Sequence, residues 1–127
     1  RLKNQDIDKI KVQLPGIDYD IGVANVLGDD EIYQEIILMF YEDHSKDDEN
    51  IQKAILGYDG DNCKRLVHTL KGVACSIGAM TLFEQVKLLD IAINERREGD
   101  YQHLLEALKP EFNRVIKGIE VAFINKM

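Results

Sequence analysis

Apolar residues recur every three or four positions along most of the chain, which is the period of an amphipathic helix. The sequence has no sustained alternation with a period of two and no Asn-Gly hairpin turn. The periodicity predicts one short helix and four long ones, over residues 20–26, 30–55, 61–77, 79–97 and 101–125. Four long amphipathic helices with short connections predict an all-α fold, an antiparallel up-and-down four-helix bundle with one or two short N-terminal helices.

Two places interrupt the helical pattern. We expect a kink or break near Ser45, within a charged stretch, and a kink or restart at Pro110. Residues 1–14 are mostly polar and are interpreted as a linker or N-terminal extension that forms a short helix or lies on the domain. The turn signal Leu-Pro-Gly marks the boundary, so the bundle domain is predicted over residues 15–127.

Composition limits the class of protein. The chain has 127 residues, which fits one domain, and 23 acidic against 16 basic residues weigh against a general nucleic-acid binder.

Cys63 and Cys75 lie twelve residues apart on one predicted helix, about 18 Å, too far to pair as a disulfide. Free thiols suit a reducing cytoplasm, and no apolar run or signal peptide indicates a membrane span or secretion. Because the chain begins with Arg1, we expect a piece of a longer protein.

The helix over residues 61–77 carries a histidine on its polar side. Steps of about 100° per residue give this helix one apolar stripe. The stripe consists of Cys63, Leu66, Val67, Leu70, Val73, Ala74 and Ile77. The opposite side carries His68 together with Lys64, Lys71, Gly72, Cys75 and Ala79. The stripe excludes a hydrogen-bonded core histidine, which leaves a functional residue or an incidental surface one.

The neighbours of His68 favour the functional interpretation. Gly72, Cys75 and Ala79 leave a strip of small residues along which another surface can approach closely. Lys64 and Lys71 supply positive charge for an anion. A neutral imidazole is a competent nucleophile at physiological pH. These residues together predict that the helix accepts a phosphoryl group from a protein partner.

The stretch HTLKGVACSIGA, residues 68–79, resembles the signature of histidine phosphotransfer (HPt) domains, H-x-L-K-G followed by small residues. The flanks are similar as well. Residues 14–44 resemble the lead-in helices of HPt domains at the C-terminal end of hybrid sensor kinases, and residues 82–93 fit the following helix. The resemblance covers residues 14–125, and it implies the helical bundle that the periodicity predicts.

The resemblance also implies roles for individual residues. His68 would be phosphorylated through Nε2, Lys71 would neutralise the phosphoryl charge, and Gly72 would let the loops of a partner close over the ring. Asp90 and Lys87 correspond to positions that carry polar groups in chemotaxis-kinase relatives. Asp90 would accept a hydrogen bond from Nδ1–H of the histidine, which fixes the tautomer that leaves Nε2 free to attack.

The chain departs from the family pattern at three positions. Cys75 stands where many members have glycine or alanine, and Ser76 stands where many have asparagine. Asp90 is shorter than the glutamate or glutamine common at its position. None of these departures removes the histidine, the lysine or the glycine.

The implied function is phosphotransfer in a multistep two-component phosphorelay. The expected partners are receiver domains, one in the same hybrid kinase and one in a downstream response regulator. We expect no kinase activity, cofactor or metal in this domain, with Mg²⁺ held only by the receiver. We also expect a monomer that contacts neither nucleic acid nor membrane. The expected location is the cytoplasm, or the cytoplasmic end of a membrane-anchored sensor kinase.

Two alternatives compete with this interpretation. The dimerisation and phosphoacceptor domain of a sensor histidine kinase usually has an acidic residue directly after the histidine and a proline several residues later. Here Thr69 follows, and no proline occurs between Pro15 and Pro110. A non-catalytic helical interaction domain is the second alternative. A metal site is not expected, because the three histidines lie on three different predicted helices.

Overall fold

The computed structural model describes residues 4–125 and contains seven α-helices within that range. They are α1 (Asn4–Val12), α2 (Tyr19–Ala24), α3 (Asp30–His44), α4 (Asp47–Leu56), α5 (Gly60–Ser76), α6 (Met80–Asn94) and α7 (Tyr101–Ile119). A 3-10 turn, Glu98–Asp100, precedes α7, and a π-helical turn, Glu120–Ile124, follows it. No strand is present in this part of the chain, so the all-α prediction is confirmed.

Four arms form the bundle. The first arm consists of α3 and α4 in succession, and the other three arms are α5, α6 and α7. The second arm packs against α4 and α6, while α7 closes the ring by packing against both α6 and α4. Short connections between successive arms make neighbours antiparallel, as predicted.

The first arm is divided where the charged stretch predicts a break. α3 ends at His44 and α4 begins at Asp47. Across the break, Nδ1 of His44 lies 2.8 Å from Oδ2 of Asp47, and the imidazole stacks on Phe40. Burial raises the pKa of the Asp47 carboxyl, and the bond to His44 opposes that shift. The His44–Asp47 contact therefore stabilises the break between α3 and α4.

The last arm does not restart at Pro110, which was one of the two outcomes expected there. α7 continues from Tyr101 to Ile119 through the proline. Proline cannot donate the backbone hydrogen bond to the carbonyl four residues earlier, which here belongs to Glu106. Because Pro110 and Glu106 both lie on the exposed face of α7, water can hydrate that carbonyl.

The N-terminal extension packs on the bundle over the part that the structure describes. Ile10 of α1 and Leu14 are both buried in the common hydrophobic core. The chain then passes over Gly118 of α7, where a Cβ would lie 2.9 Å from Cδ of Pro15. This glycine gives the N-terminal segment room to lie close to α7. Residues 1–3 of the predicted extension and 126–127 of the predicted bundle domain lie outside the described residues.

Candidate functional site

His68 lies in the middle of α5 and points away from the core. Its side chain is 70% exposed. The predicted apolar stripe of the same helix faces inward, with Cys63, Val67, Leu70 and Ala74 all buried. No hydrogen bond to Nε2 of His68 is formed within residues 4–125. The exposed imidazole is therefore open to a reaction partner from outside the chain.

Lys71 and Asp90 form an ion pair beside the histidine. Nζ of Lys71 lies 2.8 Å from Oδ2 of Asp90, whose side chain is 5% exposed. Nδ1 of His68 lies 3.9 Å from the same oxygen, which is too long for a hydrogen bond. The bond expected between Nδ1–H of His68 and Asp90 is therefore not formed here. The carboxylate bonds to Lys71 instead.

The burial of Asp90 needs an explanation. Oδ1 of this carboxylate is buried and has no partner among the described residues. A buried polar atom without a partner costs roughly 1–3 kcal/mol of stability. Oδ2 of Asp90 bonds to Lys71, but Oδ1 has no hydrogen-bond partner in the described part of the chain, so the pair contributes little to the stability of the fold. The arrangement does place a fixed ammonium one helical turn from the imidazole.

Gly72 has no structural reason within the chain to be glycine. A Cβ built on Gly72 meets nothing within 4 Å. Its carbonyl accepts a hydrogen bond of 3.0 Å from the hydroxyl of Ser76. This bond uses only the backbone of residue 72, so it does not require glycine there. Glycine in a helix interior costs about 1 kcal/mol relative to alanine. The absence of a side chain at Gly72 leaves the helix backbone beside His68 open to another surface.

The other residues predicted to contact a partner divide into two groups. Lys64 and Lys87 are exposed, and Cys75 is a half-buried free thiol on the same side of α5 as His68. The prediction that Ala79 contacts a partner is wrong, because this residue is 0% exposed. The helical projection assumed that α5 continues past Ser76. Instead Gly78 takes a left-handed φ of +83° and turns the chain, so that Ala79 enters the core.

Two side chains from earlier in the chain, one in the connection between α2 and α3 and one on α3, hold the end of α5, which the sequence did not indicate. The side-chain amide of Asn25 donates to the carbonyls of Ser76 and Cys75, at 3.1 and 3.4 Å. The hydroxyl of Tyr33 donates to the carbonyl of Ile77 at 2.5 Å. These contacts join residues that are 44 to 51 positions apart, which helical periodicity cannot detect. They satisfy carbonyls that the end of every helix leaves free.

No group of three or more His, Cys, Asp or Glu side chains that could hold a metal ion occurs among residues the structure describes. None of the helices in that part of the chain combines the length and the apolar character that a bilayer crossing requires.

Comparison with known proteins identifies the family. The family model of the Hpt domain matches residues 35–118, more than half of the chain, and this range includes His68 and Asp90. One similar solved structure is the crystal structure of the HPT domain from an Hpt sensor hybrid histidine kinase of Shewanella. It has a TM-score of 0.79 and 18% identity, and the match covers 88% of this chain and 97% of that one. A search of curated proteins gives no significant match. The chain belongs to the Hpt domain family and is a histidine phosphotransfer module of the phosphorelay type.

Proposed function

We propose that His68 takes a phosphoryl group from the aspartyl phosphate of one receiver domain and passes it to the aspartate of another. The observation that carries this proposal is the exposed imidazole in the middle of α5, one turn from a glycine that opens the surface beside it. The lone pair of Nε2 attacks phosphorus, and the bond to the aspartate oxygen breaks with its electron pair left on the carboxylate. The second transfer is the same step in reverse.

Positioning and charge neutralisation supply the catalysis in such a transfer. Lys71 would balance the phosphoryl charge, which is about −1.5 to −2 at neutral pH. Asp90 keeps the Lys71 ammonium beside the ring before the partner arrives, so it is a positioning residue. Mg²⁺ would be held by the acidic pocket of the receiver. Lys64 and Lys87, which are exposed on α5 and α6, would face the negative charge around that pocket.

One receiver would reside in the same hybrid kinase, and the other in a downstream response regulator. The chain would act as a monomer in the cytoplasm, or at the cytoplasmic end of a membrane-anchored kinase. The family match supports the receiver domains as partners.

The source of the phosphoryl group is the first test. Each member of a panel of receiver domains is phosphorylated with labelled acetyl phosphate, and the chain is then incubated with each receiver. A parallel sample receives labelled ATP and Mg²⁺ alone. We expect acid-labile, base-stable label from at least one receiver and none from ATP. Label from ATP would contradict the expectation that this domain has no kinase activity. No label from any receiver would favour a non-catalytic interaction domain.

Asp90→Asn tests the positioning role, because it keeps the shape of the side chain and removes the charge. We expect transfer from the receiver to slow about fivefold, roughly 1 kcal/mol, because the ammonium of Lys71 is no longer held at 2.8 Å. Lys71→Ala is the partner variant in a double-mutant cycle. If Asp90 acts through Lys71, the double variant is no slower than Lys71→Ala alone. Independent, multiplied effects would instead assign Asp90 to the orientation of His68.

A further inference from the structure

The small-residue strip beside His68 ends at a turn from the N-terminal segment. From His68 the exposed face of α5 runs past Gly72 and Cys75 to Ser76, where the helix ends. At that end the side-chain amide of Asn25 bonds to the Ser76 carbonyl. Asn25 begins the turn that joins α2 to α3, residues Asn25–Gly28, called here the α2–α3 turn. This turn is therefore fixed to the end of the phosphoacceptor helix.

Leu27 of the α2–α3 turn is unusual in its exposure and in its backbone conformation. Its side chain is 99% exposed, and its backbone has a left-handed φ of +57°. That conformation is disfavoured for L-residues with a Cβ, and glycine or asparagine usually occupies such a position after a helix. An apolar side chain displayed fully to water on a strained backbone stabilises nothing within the chain. Tyr58 shares both features at the other end of α5, so Leu27 is distinguished by its place in the turn that Asn25 fixes to the C-terminal end of α5.

We propose that the α2–α3 turn is part of the surface on which the receiver domain docks, with Leu27 as an apolar contact. This inference rests on the proposed function and names a partner contact for the same site. It adds a residue outside residues 35–118, the segment that the family model matches. The turn is held by Asn25 before the partner binds, so little ordering is needed on docking.

The size of an interface brings the turn within reach. His68 and Ser76 are eight residues apart on α5, about 12 Å along the axis. A standard interface covers about 800 Å² per partner, a patch of roughly 16 Å radius. Leu27 is two residues from Asn25, hence within about 7 Å along the chain. A patch centred on His68 therefore includes Ser76, and a patch centred nearer the C-terminal end of α5 also reaches the turn.

The arrangement of side chains on α5 favours that end of the helix. Toward the C-terminal end, the exposed face carries Gly72 and Cys75, which let a partner approach the backbone. Toward the N-terminal end, it carries the long side chains of Lys64 and Arg65. The closest approach of a partner is thus over the C-terminal half, next to the α2–α3 turn.

Leu27→Asn tests the contact, and Tyr58→Asn is its matched control. Tyr58 is 91% exposed with a φ of +53°, and it lies just before the other end of α5. Asparagine tolerates the left-handed conformation, so both variants should fold at least as well as the wild type. Transfer from the charged receiver, and receiver affinity, are expected to fall about tenfold for Leu27→Asn and to stay unchanged for Tyr58→Asn.

Labelling by phosphoramidate separates docking from chemistry. This small phosphodonor reaches His68 without a docking surface, so Leu27→Asn should be labelled by it at the wild-type rate. If Leu27→Asn also accepts label from the receiver at the wild-type rate, the inference is overturned while the proposed function stands. If the wild type accepts nothing from any receiver, both fail. Sedimentation equilibrium adds one more outcome: a wild-type dimer that becomes a monomer in Leu27→Asn would assign Leu27 to self-association and overturn the inference.

Discussion

His68→Gln is expected to abolish transfer from a charged receiver, with a loss of at least about a thousandfold. Transfer needs a nitrogen lone pair on the exposed face of α5, and glutamine offers only an amide, which is not a nucleophile under these conditions. In the described structure no other imidazole lies beside Gly72 to replace His68. The measurable size of the loss is therefore limited only by the detection limit of the label. Transfer of labelled phosphate from the receiver, followed by acid and base treatment, measures it.

The controls for His68→Gln come from the other histidines. His103 is exposed on α7, so His103→Gln should accept label at the wild-type rate. His44 pairs with Asp47 and stacks on Phe40, which makes it a structural residue and a poor control. His68→Gln should keep the thermal stability of the wild type within about 0.5 kcal/mol, as exposed substitutions usually do. Label on His68→Gln at the wild-type level would show that another residue is the acceptor.

Helical periodicity predicted the parts of the site that a single helix determines. His68 and Gly72 lie on the exposed face of α5 because their positions relative to the apolar stripe follow from the helix repeat alone. The same projection failed at Ala79, which lies beyond Gly78. A projection holds only while the helix continues, and the left-handed residue that ends α5 changes the direction of every later side chain.

Contacts between helices could not be predicted in this way. The resemblance identified Asp90 correctly as a residue near the ring, but its bonding partner depends on side-chain length and on how closely α6 packs against α5. A short aspartate reaches Lys71 at 2.8 Å and stays 3.9 Å from His68. The hydrogen bonds of Asn25 to the end of α5 depend on how the N-terminal segment folds back onto the bundle. No local pattern in the sequence carries that information.

Gly72→Gln is expected to make the protein more stable and the transfer slower. Because a Cβ at this position meets nothing within 4 Å, the new side chain fits within the chain, and replacing a helix-interior glycine stabilises α5 by roughly 0.5–1 kcal/mol. The same side chain would stand where the receiver closes over the imidazole. Overpacking at a closely fitted contact costs about 1–3 kcal/mol, which slows transfer by about five- to 150-fold.

The opposite signs of the two effects separate docking from folding at Gly72. Gly60→Gln is the matched control, because Gly60 is also on α5, a Cβ there also meets nothing within 4 Å, and it is twelve residues from Gly72. Gly60→Gln should transfer at the wild-type rate, and Gly72→Ala should fall between the wild type and Gly72→Gln. Phosphoramidate labelling should slow far less than receiver transfer in Gly72→Gln, since a small donor needs less room. Wild-type transfer by Gly72→Gln would mean that the open face of α5 is not where the receiver binds, whereas a lower melting temperature would mean that the fold itself needs this glycine.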